Sequence, residues 1–372
     1  MSVRAWNQPG FLDAMRQEGD PPTDRVVEQF ASREGRNAVK QVLKNLIDSH
    51  GAPPPLTGEL ASYFNQLPDI PGDQQRAIIS GQTLFEEYGP EIMLVLACYS
   101  LPECYVARKG VQVLSRTGLL QQRPNRRLFQ TAQMLIEMLS ADGLAPNGIG
   151  CRTARKIRML HGLNRFLIRT DPSWDPSFDL PINQEDLAGT FTAFTAVILD
   201  GLRKLRIDVP DERAHAYLGA WQAIGQLLGL RPELIPATVY EAFELKDVIA
   251  RRQFFASDEG TAITRALLKW LAAQSPFYLP RLPGATVRFM LGNENADKLQ
   301  IPNAPLEAAL LNAGIVVGHA IDEVLGGVQR RRLFRRFGMN LLKGFIAAEL
   351  QPHGPQIRVS SHLRRRWSLP EA

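Results

Sequence analysis

The chain has 372 residues, 45% of them hydrophobic and 22% charged, a composition that excludes a disordered or low-complexity polypeptide. Its net charge of +5 is mildly basic, and its three cysteines have no CxxC spacing, which excludes a disulfide scaffold and a cysteine-type zinc site. No run of about 18 uninterrupted apolar residues marks a membrane-spanning helix.

Taken in chain order, residues 1–23 are polar, carry glycine and proline, and read as an arm lying on the surface. They lack the continuous apolar stretch of a secretory signal, so cytoplasm is the expected compartment. From Asp24 the pattern turns helical. Val26, Val27, Phe30, Val39, Val42, Leu43 and Leu46 recur at three-to-four spacing until the prolines at 53–55 stop them. Helices follow over 56–67 and 73–88. Residues 90–101 are almost wholly apolar and belong deep in a core. Pro102 can open the next helix, because a first-turn proline wastes no amide. The periodicity then predicts helices over 102–117, 125–141, 151–170, 183–207, 211–229, 232–256 and 260–274, with two more over about 305–325 and 328–351. The loop 170–181 carries Trp174 and Phe178 and should pack down in order. The pattern is that of an all-α, multi-helix single globular domain over 24–350, with a basic C-terminal tail at 351–372 that includes a short extended piece at 356–359.

Most familiar chemistry is absent. There is no GxxxxGK[ST] phosphate loop, no strand-linked GxGxxG, no HExxH and no GxSxG, and none of the six histidines pair at metal-ligand spacing. Three places remain informative. Pro181-Ile-Asn-Gln-Glu-Asp-Leu187 is a helix start in which Asn183 caps and Asp186 reaches back. Leu187, Phe191, Phe194 and Ile198 then form a core stripe, beside a face of Ala188, Thr192, Thr195 and Leu199 that is small enough to leave room for a flat cofactor or to let two helices approach closely.

In 151–170 the expected core stripe is Ile157, Leu160, Asn164, Leu167 and Ile168. His161 falls on it, as a satisfied core histidine or as a ligand. Lys156 either snorkels to solvent or is buried, in which case its amine can ligate or act as a base. Five residues separate Lys156 from His161, so the two diverge by roughly 140° around the helix and do not bind one metal together. Glu137 interrupts Met134-Leu-Ile-Glu-Met-Leu139, either on the exposed line with Gln130 and Gln133 or buried with a purpose.

An ordered series is more specific than its parts. Leu101-Pro-Glu-Cys-Tyr105, Lys109-Gly-Val-Gln-Val-Leu, Thr117-Gly-Leu-Leu and Arg126-Arg-Leu come first. Arg155-Lys-Ile-Arg-Met-Leu-His161, the Pro181–Leu187 run with Thr190, Ala216-Tyr-Leu-Gly-Ala-Trp221 and Leu227-Leu-Gly229 follow. Over about residues 80–240 this series resembles the ER/Mpa/Lcp oxygenase family and, within it, the latex-clearing-protein branch. The resemblance implies an all-helical fold around haem b. It also implies an iron held by one histidine and, in one state, by a lysine, and the use of O2 to cleave a carbon–carbon double bond of polyisoprene. Carried over by position, the lysine matches Lys156, and the glutamate assigned the role of base matches Glu137. Arg158 and His161 match positions that line or support the pocket. Thr192, next to Phe191, stands where the family has its proximal histidine, and Thr153 and Ile157 replace the family's arginine and threonine. A threonine hydroxyl is a poor haem ligand beside His, Cys, Met or Tyr. The iron would then fall to His161, His215 or His319, or to Lys156 alone, or the haem would be lost.

The resulting expectation is a haem-dependent oxygenase acting with O2 on an apolar, isoprenoid or polyketide-like small molecule. The first alternative is a non-catalytic relative that binds an apolar ligand or a partner. A third reading, anion or nucleic-acid binding, rests on Arg330–Arg336 and Arg364-Arg-Arg-Trp367, where arginines flank aromatics. No nucleic-acid fold signature accompanies them, and nucleic acid is not an expected partner.

Overall fold

The computed structural model describes residues 4–48, 56–66, 70, 75–116, 124–273, 280–313 and 361–367. Among these residues the regular elements are helical, and the one extended contact is an isolated antiparallel bridge between Ala107 and Phe254. The chain is all-α, as its periodicity predicts. None of the described helices is long and apolar enough to cross a membrane.

In chain order, α1 (Phe11–Arg16), α2 (Pro21–Asp48), α3 (Gly58–Gln66) and α4 (Gln75–Val95) lead into a π-helical segment, Leu96–Ser100. Then come α5 (Leu101–Val106), α6 (Val111–Arg116), α7 (Pro124–Leu139), α8 (Ile149–Arg169), α9 (Gln184–Phe194), α10 (Ala196–Lys204), α11 (Asp211–Leu227) and α12 (Val239–Gln253). The series closes with α13 (Asp258–Ala273), α14 (Leu282–Leu291), α15 (Asn293–Lys298), a helix over 305–313 that we label α16, and α17 (Ser361–Trp367).

The chain divides into two compact units. One comprises Met1–Gln82, Glu137–Thr192 and His215–Ile249; the other comprises Thr83–Ile136, Ala193–Ala214 and Ala250–Ala372.

In the first unit α2 lies along α8. Val27, Val39, Leu46, Leu60, Met159 and Leu163 form its apolar cluster, with Phe30, Tyr63 and Phe166 packed against them. Gly162 permits the close approach, since a Cβ there would lie 2.6 Å from Thr23 Cγ2. The interior side of α8 is Cys151, Ala154, Met159, Gly162 and Leu163, while the expected stripe of Ile157, Leu160, Asn164, Leu167 and Ile168 is only half-buried. The stripe is displaced because glycine, alanine and cysteine, weak signals in a hydrophobicity pattern, occupy the tightest contact.

The segment expected as a surface arm instead sends Trp6, Leu12 and Met15 into the interior. It is anchored by charge. The buried Arg16 pairs with Asp179, Glu185 and Asp186 and donates to the Phe178 carbonyl, and Arg158 grips both oxygens of Asp20 at 2.6 and 2.8 Å. Asp20 opens α2 in front of Pro21: its carboxylate accepts from Thr23 Oγ1, while its own N–H donates to Asp24 at 2.9 Å. The 170–181 loop is ordered as expected, with Trp174 Nε1 donating to Asp179 O at 3.0 Å.

In the second unit the residues from Tyr88 to Leu101 are all buried, as the apolar run predicts. The π-helical segment packs on α5, α10 and α14. Two helices expected to be continuous are broken. Over 102–117 the chain leaves the helix at Ala107 to pair with the segment after α12, through Arg108 N–Gln253 O and Phe255 N–Val106 O. Over 183–207 the break is Thr195, at φ −112° and ψ −84°. The carbonyl of Ala193, deprived of its helical partner there, accepts from Ser100 Oγ at 2.6 Å. The expected helix over 232–256 begins instead as a 3-10 turn, Pro232–Leu234, because Pro236 interrupts it before α12. Helices α14 and α15 lie in a stretch where the sequence pattern predicts none. The expected helix over 328–351, the extended piece at 356–359 and the Arg330–Arg336 cluster lie outside the described residues.

Candidate functional site

Glu137, Lys156, Arg158, His161, Phe191 and Thr192 all belong to the first unit. Glu137 lies in the last turn of α7 and is half-buried, neither fully exposed nor enclosed. It is brought to α8 by a hydrogen bond: Thr153 Oγ1 donates to Glu137 Oε2. Lys156, also half-buried, follows Thr153 by one turn, so the two share one face at the start of α8. Thr153 was legible only as a substitution, and its hydroxyl is what holds the carboxylate.

Arg158 and His161 lie further along α8. The guanidinium of Arg158 is committed to Asp20; burial works to lower its pKa, and the hydrogen bonds and charge of Asp20 more than reverse that. His161 is half-buried with its Nδ1 sealed from solvent. Of the other histidines raised by the sequence, His215 is exposed and His319 lies outside the described residues.

Phe191 and Thr192 sit on α9. The helix starts as the sequence predicts, with Asn183 Oδ1 accepting from the Asp186 amide at 2.9 Å and Asn183 Nδ2 donating to the Asp186 carboxylate. Both expected faces are buried, the Leu187–Phe191–Phe194 stripe and the Ala188–Thr192–Thr195 face alike. The Phe191 ring lies over Gly225 of α11, where a Cβ would come within 3.2 Å of it. Thr192 is 2% exposed, and its hydroxyl donates to Gly189 O at 2.9 Å.

The charged groups around α9 are strongly coupled. Burial pushes the Asp186 carboxyl above its ordinary range even though Arg16 opposes it, and the buried Arg16 is itself held above its usual value, since Asp186, Asp179 and Glu185 outweigh the cost of its desolvation.

Residues 99–319 match the family described as ER-bound oxygenase mpaB/B'/Rubber oxygenase, catalytic domain. The chain belongs to this family. It is 24% identical over 302 residues to the rubber oxygenase of Streptomyces sp. (strain K30), an alignment that covers 79% of this chain and 72% of that protein. Its fold matches the structure of latex clearing protein LCP in the closed state, with a TM-score of 0.68 at 21% identity, over 93% of this chain and 94% of the other.

A family of this kind raises haem. Among the described residues no group of three or more His, Cys, Asp or Glu could hold a metal ion. A haem iron takes a nitrogen, sulfur or phenolate donor from the protein. Thr192 does not fit that role: its hydroxyl proton is spent on Gly189 O and the oxygen is a weak ligand. Of the candidates on α8, Lys156 and His161 carry nitrogen donors of this class. A haem held from α8 suits the donor set; one held from α9 at position 192 does not.

Proposed function

We propose that the chain is a haem-dependent oxygenase acting with O2 on an apolar, isoprenoid or polyketide-like substrate. The observation that carries this reading is the match of residues 99–319 to an oxygenase catalytic domain, together with the Glu137–Thr153 pair one turn from Lys156. The name of the Streptomyces relative, rubber oxygenase, supports an isoprenoid substrate class. Haem b would be held by Lys156 or His161 and, when bound, supplies the activation of O2. Glu137 is the proton acceptor, with Thr153 Oγ1 donating to its Oε2 and so fixing the orientation of the carboxylate. Phe191 contributes apolar surface, and the buried Ala188–Thr192 face excludes water. Three cysteines outside any disulfide, two of them buried, support a reducing compartment, which we take to be the cytoplasm. The domain reading is a single oxygenase-like domain over 24–350.

A second reading has its own support. The hydrogen bond of Thr192 to Gly189 O favours a relative that binds an apolar ligand or partner without catalysis. The two separate in one experiment: a visible spectrum and a pyridine haemochrome assay on protein expressed with a haem precursor. Near-stoichiometric haem b, with a Soret band altered by Lys156→Ala or His161→Ala and not by Thr192→Ala, supports the oxygenase. A protein that takes up no haem even on titration supports the binding relative.

A further inference from the structure

The C-terminal Arg-Arg-Arg-Trp motif is the sequence feature that the proposed function leaves unused, and it has a definite place in the second unit. Its tryptophan is not a surface aromatic. Trp367 is 1% exposed and packs edge-on against Phe85 of α4, with ring centroids 5.6 Å apart. Its indole lies directly on Gly89, where a Cβ would fall 2.1 Å from the ring. Only glycine at position 89 lets the ring reach the helix backbone.

What it reaches is a particular carbonyl. Trp367 Nε1 donates to Glu86 O at 2.9 Å, and Arg366 Nε donates to the same oxygen at 3.0 Å. Helix α4 carries a proline at position 90, four residues after Glu86. A helical residue normally returns its amide N–H to the carbonyl four positions back, and proline has none to give. Pro90 therefore cannot serve Glu86 O. The backbone departs from helical geometry at Tyr88, at φ −111° and ψ 16°, between the unserved carbonyl and the proline. The Glu86 side chain adds a contact to the same short helix, with His362 Nε2 at 3.4 Å.

We propose that α17 is a latch that completes α4: the indole and guanidinium N–H groups at the C-terminus stand in for the amide that Pro90 lacks. The kink and the latch form one device. While α17 is docked, the carbonyl is satisfied and shielded, and the bend ahead of the buried run 88–101 is held. When α17 leaves, the carbonyl opens to solvent and the indole surface of Gly89 and Phe85 is uncovered.

A double-mutant cycle on the full chain tests this. Trp367→Phe keeps most of the ring and removes the N–H; Pro90→Ala restores the amide that Glu86 O lacks. Thermal melting and hydrogen exchange of residues 83–95 are measured for both single variants and the double variant. The expected result is that Trp367→Phe lowers the melting temperature and speeds exchange across 83–95, and that the same substitution in the Pro90→Ala background does so by less than half as much. An effect in the Pro90→Ala background half as large or larger, or no effect of Trp367→Phe in the wild-type background, overturns the proposal, because either makes Trp367 a packing residue with no relation to the proline. Should Trp367→Phe fail to fold, Arg366→Met, which touches the same oxygen from the exposed side, is read in the same two backgrounds with the same criteria.

Discussion

Replacing Asp200 by asparagine keeps the outline of the side chain and removes its charge. The wild-type carboxylate accepts from the Tyr99 hydroxyl at 2.9 Å, pairs with Lys204 at 2.9 Å and with Arg203 at 2.6 Å. The Arg203 side chain is 80% exposed, so its pair contributes roughly 0–1 kcal/mol. Lys204 is better enclosed, bonded also to Tyr99 Oη and to Met290 O, and losing its counter-ion costs about 1–2 kcal/mol. The buried Tyr99 keeps a neutral acceptor in place of a charged one, a loss of about 1 kcal/mol. The sum, about 2–4 kcal/mol, corresponds to a melting temperature lower by roughly 3–5 °C for a chain of 372 residues. Burial works to raise the Asp200 carboxyl, but hydrogen bonds from Lys204, Arg203 and Tyr99 hold it below the ordinary carboxylate range. A carboxyl depressed on folding stabilises the folded state above its unfolded pKa of about 3.9, and that contribution disappears as the pH falls through the folded value. Near-ultraviolet circular dichroism melts at neutral pH and at about pH 3 should therefore show a gap between wild type and Asp200→Asn that narrows in acid. A variant melting within about 1 °C of wild type at neutral pH, or a gap of the same size at both, refutes the assignment.

Two further outcomes follow from the first unit. Arg16→Gln leaves Asp179, Glu185 and Asp186 without their shared cation and should destabilise by about 3–5 kcal/mol at neutral pH. Since burial already raises Asp186, protonation relieves the unbalanced charge, and urea melts should show a smaller loss at about pH 4. Gly162→Leu places a side chain against Thr23 at the α2–α8 contact and should cost about 1–3 kcal/mol or more, with faster hydrogen exchange in both helices; an unchanged melting curve would mean that the contact is looser than described.

The helical class, the deep burial of 88–101 and the capped start of α9 were legible because each rests on a local signal: period, an unbroken apolar run, or a cap beside a core stripe. The breaks at Ala107 and Thr195 were not, because their causes lie far along the chain. Phe254 draws the first segment out of the helix, and Ser100 takes up the carbonyl freed by the second. The buried N-terminal segment escaped for a related reason. Arg16 and Asp20 look like solvated charges until Asp179, Glu185, Asp186 and Arg158 are brought to them. Even so, Asp20-Pro-Pro-Thr-Asp was a readable helix start, an acidic cap before a first-turn proline. In the candidate site, the departure at Thr192 was visible in the residue itself. That its hydroxyl is spent on Gly189 O was not, and neither was the role of Thr153, since a threonine on a helix face carries no signal of the carboxylate it will meet.

The π-helical segment at Leu96–Ser100 works as a phase shifter. Each residue of an α-helix advances the side chains by about 100°, and a π turn accommodates one residue more than an α turn does. Every side chain downstream in the continuing helix α5 is thereby rotated against α4 by about that angle. Deleting one residue from 96–100 would leave a smoother helix but turn Glu103, Tyr105 and Val106 to other directions, and it would pull the Tyr99 hydroxyl and Ser100 Oγ away from Asp200 and Ala193. The irregular turn is the single-residue adjustment that lets one helix address two sets of neighbours.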